Sequence, residues 1–321
     1  MDLDSPAMLR RLLYGVIAGV IIYAAFAVFA DARALSDHVG RVPWVVIAGA
    51  CALSVANYLL RFVKWHGYLH LLDIELQPGR SLLVFLAGLS MSISPGKVGE
   101  VIKSALLKRS HNLSMARTAP VVLAERLTDV LGLFVLASVG IVAFQYGILG
   151  FGVALLVVLA MVAFVQSDSL VHRVLDIIEK LPWIGQYRTQ LQQSYRSTKT
   201  LLQWRPLAAM TLLSAVAWSM EVLAFGWIIG HLGANAPLLM ESCFVYATST
   251  LAGALSFLPG GLGVTEASLT GLLLWTQLFD ELTLALAATY LIRFTTLWFG
   301  VMVGVLAFLF LEWRQRSVGD E

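Results

Sequence analysis

Residues Leu86–Glu100 read LAGLSMSISPGKVGE, and residues Leu251–Glu266 read LAGALSFLPGGLGVTE. Each stretch opens on Leu-Ala-Gly, runs through an apolar turn to a Pro-Gly pair, and closes on a further glycine and a glutamate. Each is followed by a long apolar segment with an arginine inside it, in ERLTD at Glu125–Asp129 and in IRFTT at Ile292–Thr296. Proline removes a helix donor and glycine loosens the backbone, so each stretch reads as two helices joined by a break. Breaks and charges are expensive inside a membrane, and that expense points to a site.

The composition around the breaks is that of an integral membrane protein. Of 321 residues, 59% are hydrophobic and 13% charged, with mean hydropathy +0.80; soluble domains carry about 25% charged residues. The net charge is only +2 and no basic tract is interleaved with aromatics, which argues against a nucleic-acid partner. Cys51 and Cys243 lie in apolar runs and read as packing residues, not as a disulfide framework. The histidines form no HExxH pattern and no GxxxxGK phosphate loop is present, so neither a metal nor any other cofactor is expected.

Apolar stretches of spanning length are Leu12–Ala30, Val42–Val63, Thr118–Phe144, Ile148–Val165, Leu207–Gly230 and Leu282–Leu311. The two interrupted stretches lie between them. The expected fold is an all-α polytopic membrane protein of about six full spans plus two re-entrant broken-helix hairpins. Residues 12–30 form a retained first helix, 42–144 a first repeat, 148–165 a linking helix and 207–312 a second repeat, all within one transmembrane domain. Between them, 167–205 alternates apolar and charged residues at helical spacing around Pro182-Trp183-Ile184-Gly185, as amphipathic helices on the cytoplasmic surface do.

Charge sets the orientation. With both termini cytoplasmic, Arg10, Arg11, Arg61, Lys64, Arg80, Lys97, Lys103, Lys108, Arg109, Arg117, the Arg173–Arg205 group, Arg314 and Arg316 fall at or toward the cytoplasm, while Arg33 and Arg41 fall outside. The first hairpin then enters from the cytoplasm and the second from outside, so the repeats are inverted, a transporter arrangement.

The breaks carry the candidate chemistry. Ser94, Gly96, Lys97, Gly99 and Glu100 crowd the first break; Gly260, Gly261, Gly263 and Glu266 crowd the second. The helix after the first break offers free N–H groups and the positive end of a dipole, an anion site to which Lys97 adds a point charge. Glu100 in a first helical turn also suits the dipole. Arg293 lies about 16 Å along its span and Arg126 about 12 Å along its own, too deep for easy snorkelling. Their natural partners are Glu100, Glu125, Asp129 and Glu266. These groups either lock the repeats together as ion pairs or line a cavity for an anionic headgroup. Glu221 is a further intramembrane acid, and with Glu100 and Glu266 it is a candidate for proton coupling. Arg61 reads as an interface marker.

The motifs SPGKVGE at Ser94–Glu100, AERLTD at Ala124–Asp129 and LPGGLGVTE at Leu258–Glu266 resemble the lysylphosphatidylglycerol synthase transmembrane-region family, flippase-like proteins also called UPF0104. The resemblance covers about Leu12 to Leu311. In larger members a C-terminal soluble domain aminoacylates phosphatidylglycerol, and the membrane domain is credited with moving the product between leaflets. This sequence runs to Glu321, just past its last apolar stretch, so a stand-alone member without the synthase domain is expected. Related stand-alone members are associated with polyprenyl-linked sugars and hopanoid lipids.

The resulting expectation is a flippase-like transporter, not an enzyme, in a bacterial or archaeal cytoplasmic (inner) membrane. It moves a lipid with an anionic or polar headgroup between leaflets, and a homodimer or a lipid synthase is a candidate partner. Two other classes share the residues: a membrane-embedded transferase with Glu100 or Glu266 as general base, aided by Asp129, and a non-transporting partner of a lipid synthase.

Overall fold

The computed structural model describes residues 32–94, 99–144, 188–235 and 238–319, with isolated positions between 152 and 167. The first helix expected at Leu12–Ala30, Gly96 and Lys97, most of the linking helix Ile148–Val165 and the first half of the amphipathic segment lie outside them. Among the described residues the structure is helical, without strands.

A short helix α1 (Ala32–Arg41) leads into α2 (Trp44–Leu71). Helix α3 (Pro78–Leu89) starts on a proline, whose missing N–H costs nothing at a first helical position. Turns at 90–94 end it, and the chain resumes through a 3₁₀ turn at 99–101 into α4 (Ile102–His111). Helix α5 (Met115–Phe144) follows. After α6 (Arg188–Leu201), the second half of the amphipathic segment, come α7 (Trp204–His231) and α8 (Leu238–Leu255). A 3₁₀ turn at Pro259–Gly261 separates α8 from α9 (Val264–Trp275). The last span is α10 (Leu282–Arg293), a π-helical turn (Phe294–Trp298) and α11 (Phe299–Gly319). Among the described residues, three segments are long and apolar enough to cross a membrane: Trp44–Leu71, Trp204–His231 and Leu282–Arg314.

The two halves repeat one order: a long helix (α2, α7), a broken pair (α3–α4, α8–α9) and a long final segment (α5, α10–α11). Their packing is reciprocal. Helix α2 packs along α7; α3 packs on α11 of the other half, and α8 packs on α5. Small residues permit these approaches: a side chain at Gly304 would meet the Ser90 backbone, and one at Gly132 would meet the backbone of Ser214 and Ala215.

The surface is inside out relative to a soluble protein. Leu212, Val216 and Leu223 on α7 and Met302, Leu306 and Leu309 on α11 are exposed, while Lys64, Lys103, Glu125 and Glu266 are fully buried. Two apolar cores stack along α2 and α5. One gathers Val46 and Ala50 of α2 with Leu131–Ala137 of α5; the other gathers Tyr58, Trp65 and Tyr68 of α2 with Val121, Val122 and Ala124 of α5. Charged residues occupy the seam between the cores.

The repeated Leu-Ala-Gly has the same duty in both halves. Gly88 lets the stem of Lys103 on α4 cross α3, and Gly253 lets Thr265 on α9 cross α8. A Cβ at Gly253 collides with Thr265 Oγ1 and approaches Gly261, whereas one at Gly271, also helical, meets nothing within 4 Å. Gly253→Ala is therefore expected to lower the unfolding midpoint in detergent, at a cost of about 1–3 kcal/mol. Gly271→Ala should leave the midpoint level or raise it by the equivalent of about 1 kcal/mol. Matching midpoints for the two variants would contradict the tight crossing.

Candidate functional site

A cavity of about 400 Å³ opens at the seam, lined by residues of both halves. Helix α2 contributes Tyr58 and Arg61, α5 Arg126 and Asp129, α7 Trp218 and Glu221, α8 Tyr246, and α10 Arg293; the second break adds Gly260 and Gly261. The rim is apolar: Leu123, Leu255, Phe257 and Leu258 line the cavity and are exposed, Phe257 by 72%. The site is thus a charged floor behind a greasy mouth.

The first half builds the floor as a chain of ion pairs. Asp129 accepts a hydrogen bond from Lys64, whose Nζ also reaches Ser214 Oγ at 2.7 Å and Thr128 Oγ1 at 3.3 Å. Arg126 lies 3.1 Å from Asp129 and 3.2 Å from Glu100, and Arg61 lies 3.7 Å from Asp129 with its guanidinium 5.5 Å from the Trp218 ring centre. Lys103 Nζ donates to Glu125 at 2.5 Å and sits over the Trp65 ring at 4.6 Å. Helical spacing explains the grouping: Arg61 and Lys64 are one turn apart on α2, as are Arg126 and Asp129 on α5, so two same-face pairs meet. The Nε atoms of Arg61 and Arg126 have no hydrogen-bond partner among the described residues.

The second half builds a latch. Arg293 Nε donates to Glu266 Oε1 at 2.6 Å and its Nη2 donates to the Gly260 carbonyl at 2.8 Å. Glu266 Oε2 accepts the Gly263 N–H at 2.7 Å. One carboxylate thereby caps α9 and holds the arginine that holds the break. The turn needs Gly261 and Gly263, at φ 66° and 86°, where a side chain would be strained. The π-helical turn follows Arg293 directly, and Tyr58 donates to its Thr296 carbonyl at 2.6 Å. Glu221 accepts from the Tyr246 hydroxyl at 2.5 Å. The ion-paired clusters and the cavity lining together hold five cations (Arg61, Lys64, Lys103, Arg126, Arg293) and five acids (Glu100, Glu125, Asp129, Glu221, Glu266) among the described residues.

This arrangement falls inside a stretch shared with known proteins. The model of the lysylphosphatidylglycerol synthase transmembrane region matches residues 16–304. The chain belongs to this family. A UPF0104 membrane protein of Methanothermobacter thermautotrophicus is 24% identical over 275 residues, covering 79% of this chain and 80% of its own length. Another from Pyrococcus horikoshii is 24% identical over 293 residues, covering 79% of this chain and 84% of its own. The lysylphosphatidylglycerol synthase region match spans both breaks and all three cavity-lining arginines, Arg61, Arg126 and Arg293.

Of the residues singled out in the sequence, the structure pairs Arg126 with Glu100 and Asp129, and Arg293 with Glu266. Glu125 turns away from the cavity to Lys103. Ser94 Oγ accepts the Gly99 N–H at 2.8 Å and closes the first break. One expectation changes: Arg61, read as an interface marker, has a side chain only 7% exposed that faces Asp129. Lys64 and Lys103 are likewise buried in ion pairs, because their helices continue past them into apolar core. At the α9 N-terminus the Glu266 carboxylate accepts the Gly263 N–H.

Lys103→Met strands the Glu125 carboxylate in an apolar setting, an expected loss of about 3–5 kcal/mol. Adding Glu125→Gln removes the stranded charge and should recover most of it. Thermal unfolding of the two purified variants in one detergent checks this, and a double variant no more stable than the single one would refute the pairing.

Proposed function

We propose that this protein moves a lipid with an anionic headgroup between membrane leaflets. The observation that carries this reading is the cavity itself: a floor with Arg61, Arg126 and Arg293 behind an exposed rim of Leu123, Leu255, Phe257 and Leu258. That polarity matches an amphiphile whose phosphate meets guanidinium groups while its chains stay in the bilayer. A volume of about 400 Å³ suits a headgroup, within the range of about 300–1,000 Å³ usual for ligand sites. Family membership supports a membrane lipid role, since the matching family is defined by a lysylphosphatidylglycerol synthase membrane region.

The same proposal orients the chain with cytoplasmic termini in a bacterial or archaeal cytoplasmic membrane. It takes about six spans and two re-entrant hairpins, related as inverted repeats. The reciprocal packing of α3 on α11 and of α8 on α5 supports that relation. Movement between leaflets then follows rocking of one half against the other around the seam, with the headgroup competing with Asp129 and Glu266 for the arginines. In this reading the protein transports and does not catalyse.

Reconstitution into liposomes containing a trace of fluorescent phosphatidylglycerol tests it. Wild-type protein is expected to make the inner-leaflet probe accessible to a membrane-impermeant reductant. Arg126→Ala combined with Arg293→Ala should reduce the rate at least tenfold while the protein remains monodisperse. Undiminished movement in the double variant would sink the cavity assignment. Conversion of a lipid-linked donor to product in detergent would favour a transferase.

A further inference from the structure

We propose that the cavity carries one proton together with each anionic headgroup, and that the Glu221 carboxylate binds it. The inference rests on the lipid-transport reading above and adds its energy source.

The charge balance motivates it. The cations and acids that form the ion-paired clusters and line the cavity are equal in number among the described residues, five of each. A phosphate diester entering such a balanced cluster brings one uncompensated negative charge into a low-dielectric interior, where isolated charge is strongly disfavoured. A proton taken up by a carboxylate of the same cavity restores balance, and the loaded cavity is then as neutral as the empty one.

Among the described residues, two acids line the cavity, Asp129 and Glu221. Asp129 lies against Lys64, Arg126 and Arg61, so protonating it would discharge the centre on which three cations converge. Glu221 is 4% exposed and meets the Tyr246 hydroxyl at 2.5 Å. A phenol serves both forms of the acid: it donates to the carboxylate and accepts from the carboxylic acid. Among the described residues, the ionisable groups facing Glu221 across the cavity belong to the same set. These are Tyr58 and Arg61 on α2, Arg126 and Asp129 on α5, Tyr246 on α8, and Arg293 on α10. A headgroup drawn to those arginines therefore raises the negative potential at Glu221 and favours its protonation. When the headgroup leaves, the arginines return to their acids and Glu221 releases the proton on the side where the lipid departs. Lipid and proton travel together, and no net charge crosses.

The test uses proteoliposomes with trace fluorescent phosphatidylglycerol and a held pH difference of one unit. One proton per singly charged lipid predicts about tenfold enrichment of probe in the leaflet facing the alkaline side, since a pH unit and a tenfold ratio are the same free energy. An imposed potassium diffusion potential should leave the distribution unchanged. Glu221→Gln should remove the enrichment, and Glu221→Asp, which keeps a carboxylate, should retain it. In detergent, wild-type protein mixed with short-chain phosphatidylglycerol in weak buffer should take up about one proton per lipid bound. Probe that equilibrates evenly at every pH difference overturns the proposal while leaving lipid transport intact. Enrichment that persists in Glu221→Gln overturns the assignment of the site. Absence of any lipid movement defeats the transport reading and this one with it.

Discussion

Asp129 is the point on which the structure turns. It is a fully buried acid in a protein whose exterior is apolar, so it must be neutralised from within. Lys64 and Arg61 approach from α2 and Arg126 from its own helix, while Ser214 on α7 donates to it at 3.1 Å. Meeting those partners fixes the distance and rotation of α2, α5 and α7 relative to one another. The apolar cores above and below then have little freedom in how they close. In lipid the hydrophobic drive between helices is weak, so polar contacts of this kind do the specifying.

The same constraint explains why the charges gather at one level and why a cavity sits there. Arginines tied to carboxylates are stable without a ligand, yet they remain a surface on which an anion can exchange for a carboxylate. The two halves solve the problem differently. The first spreads its charge over a chain of partners from Lys64 to Lys103. The second concentrates it in Arg293, which grips Glu266 and the backbone of the break together. Disturbing the first redistributes charge; disturbing the second frees a turn of the main chain. The adjoining π-helical turn fits this division, since such turns in long helices cluster at functional sites.

Much of this was legible in the sequence because depth in an apolar run is a strong signal. Arg126 and Arg293 lie too deep for easy snorkelling, which pointed to Glu100, Glu125, Asp129 and Glu266 as partners; the structure uses all of these but Glu125. Arg61, Lys64 and Lys103 escaped that logic. Hydropathy ends the second apolar stretch at Val63, and a cation at an end reads as a snorkelling one. The helix in fact runs on to Leu71, carrying Trp65, Tyr68 and Leu69 into the core. The signal was there in those aromatics just beyond Lys64, and in the spacing of Glu100 to Lys103. What no local pattern carries is partner choice. That Lys103 meets Glu125, or that Tyr246 meets Glu221, depends on how separate helices are stacked.

The exchanged arms have a bearing on how the chain comes to exist. A ribosome delivers α3 more than two hundred residues before α11, the helix on which it finally rests. Until then the α3–α4 pair has its Gly88 crossing and its ion pairs but not its outer wall, and Ser90 waits for Gly304. Helix α5, in turn, stands without α8 until the second half emerges. Neither half is complete when it is made. Helix α8 covers α5 first, and α11, made later still, covers α3, so the first half is walled in only by parts of the second.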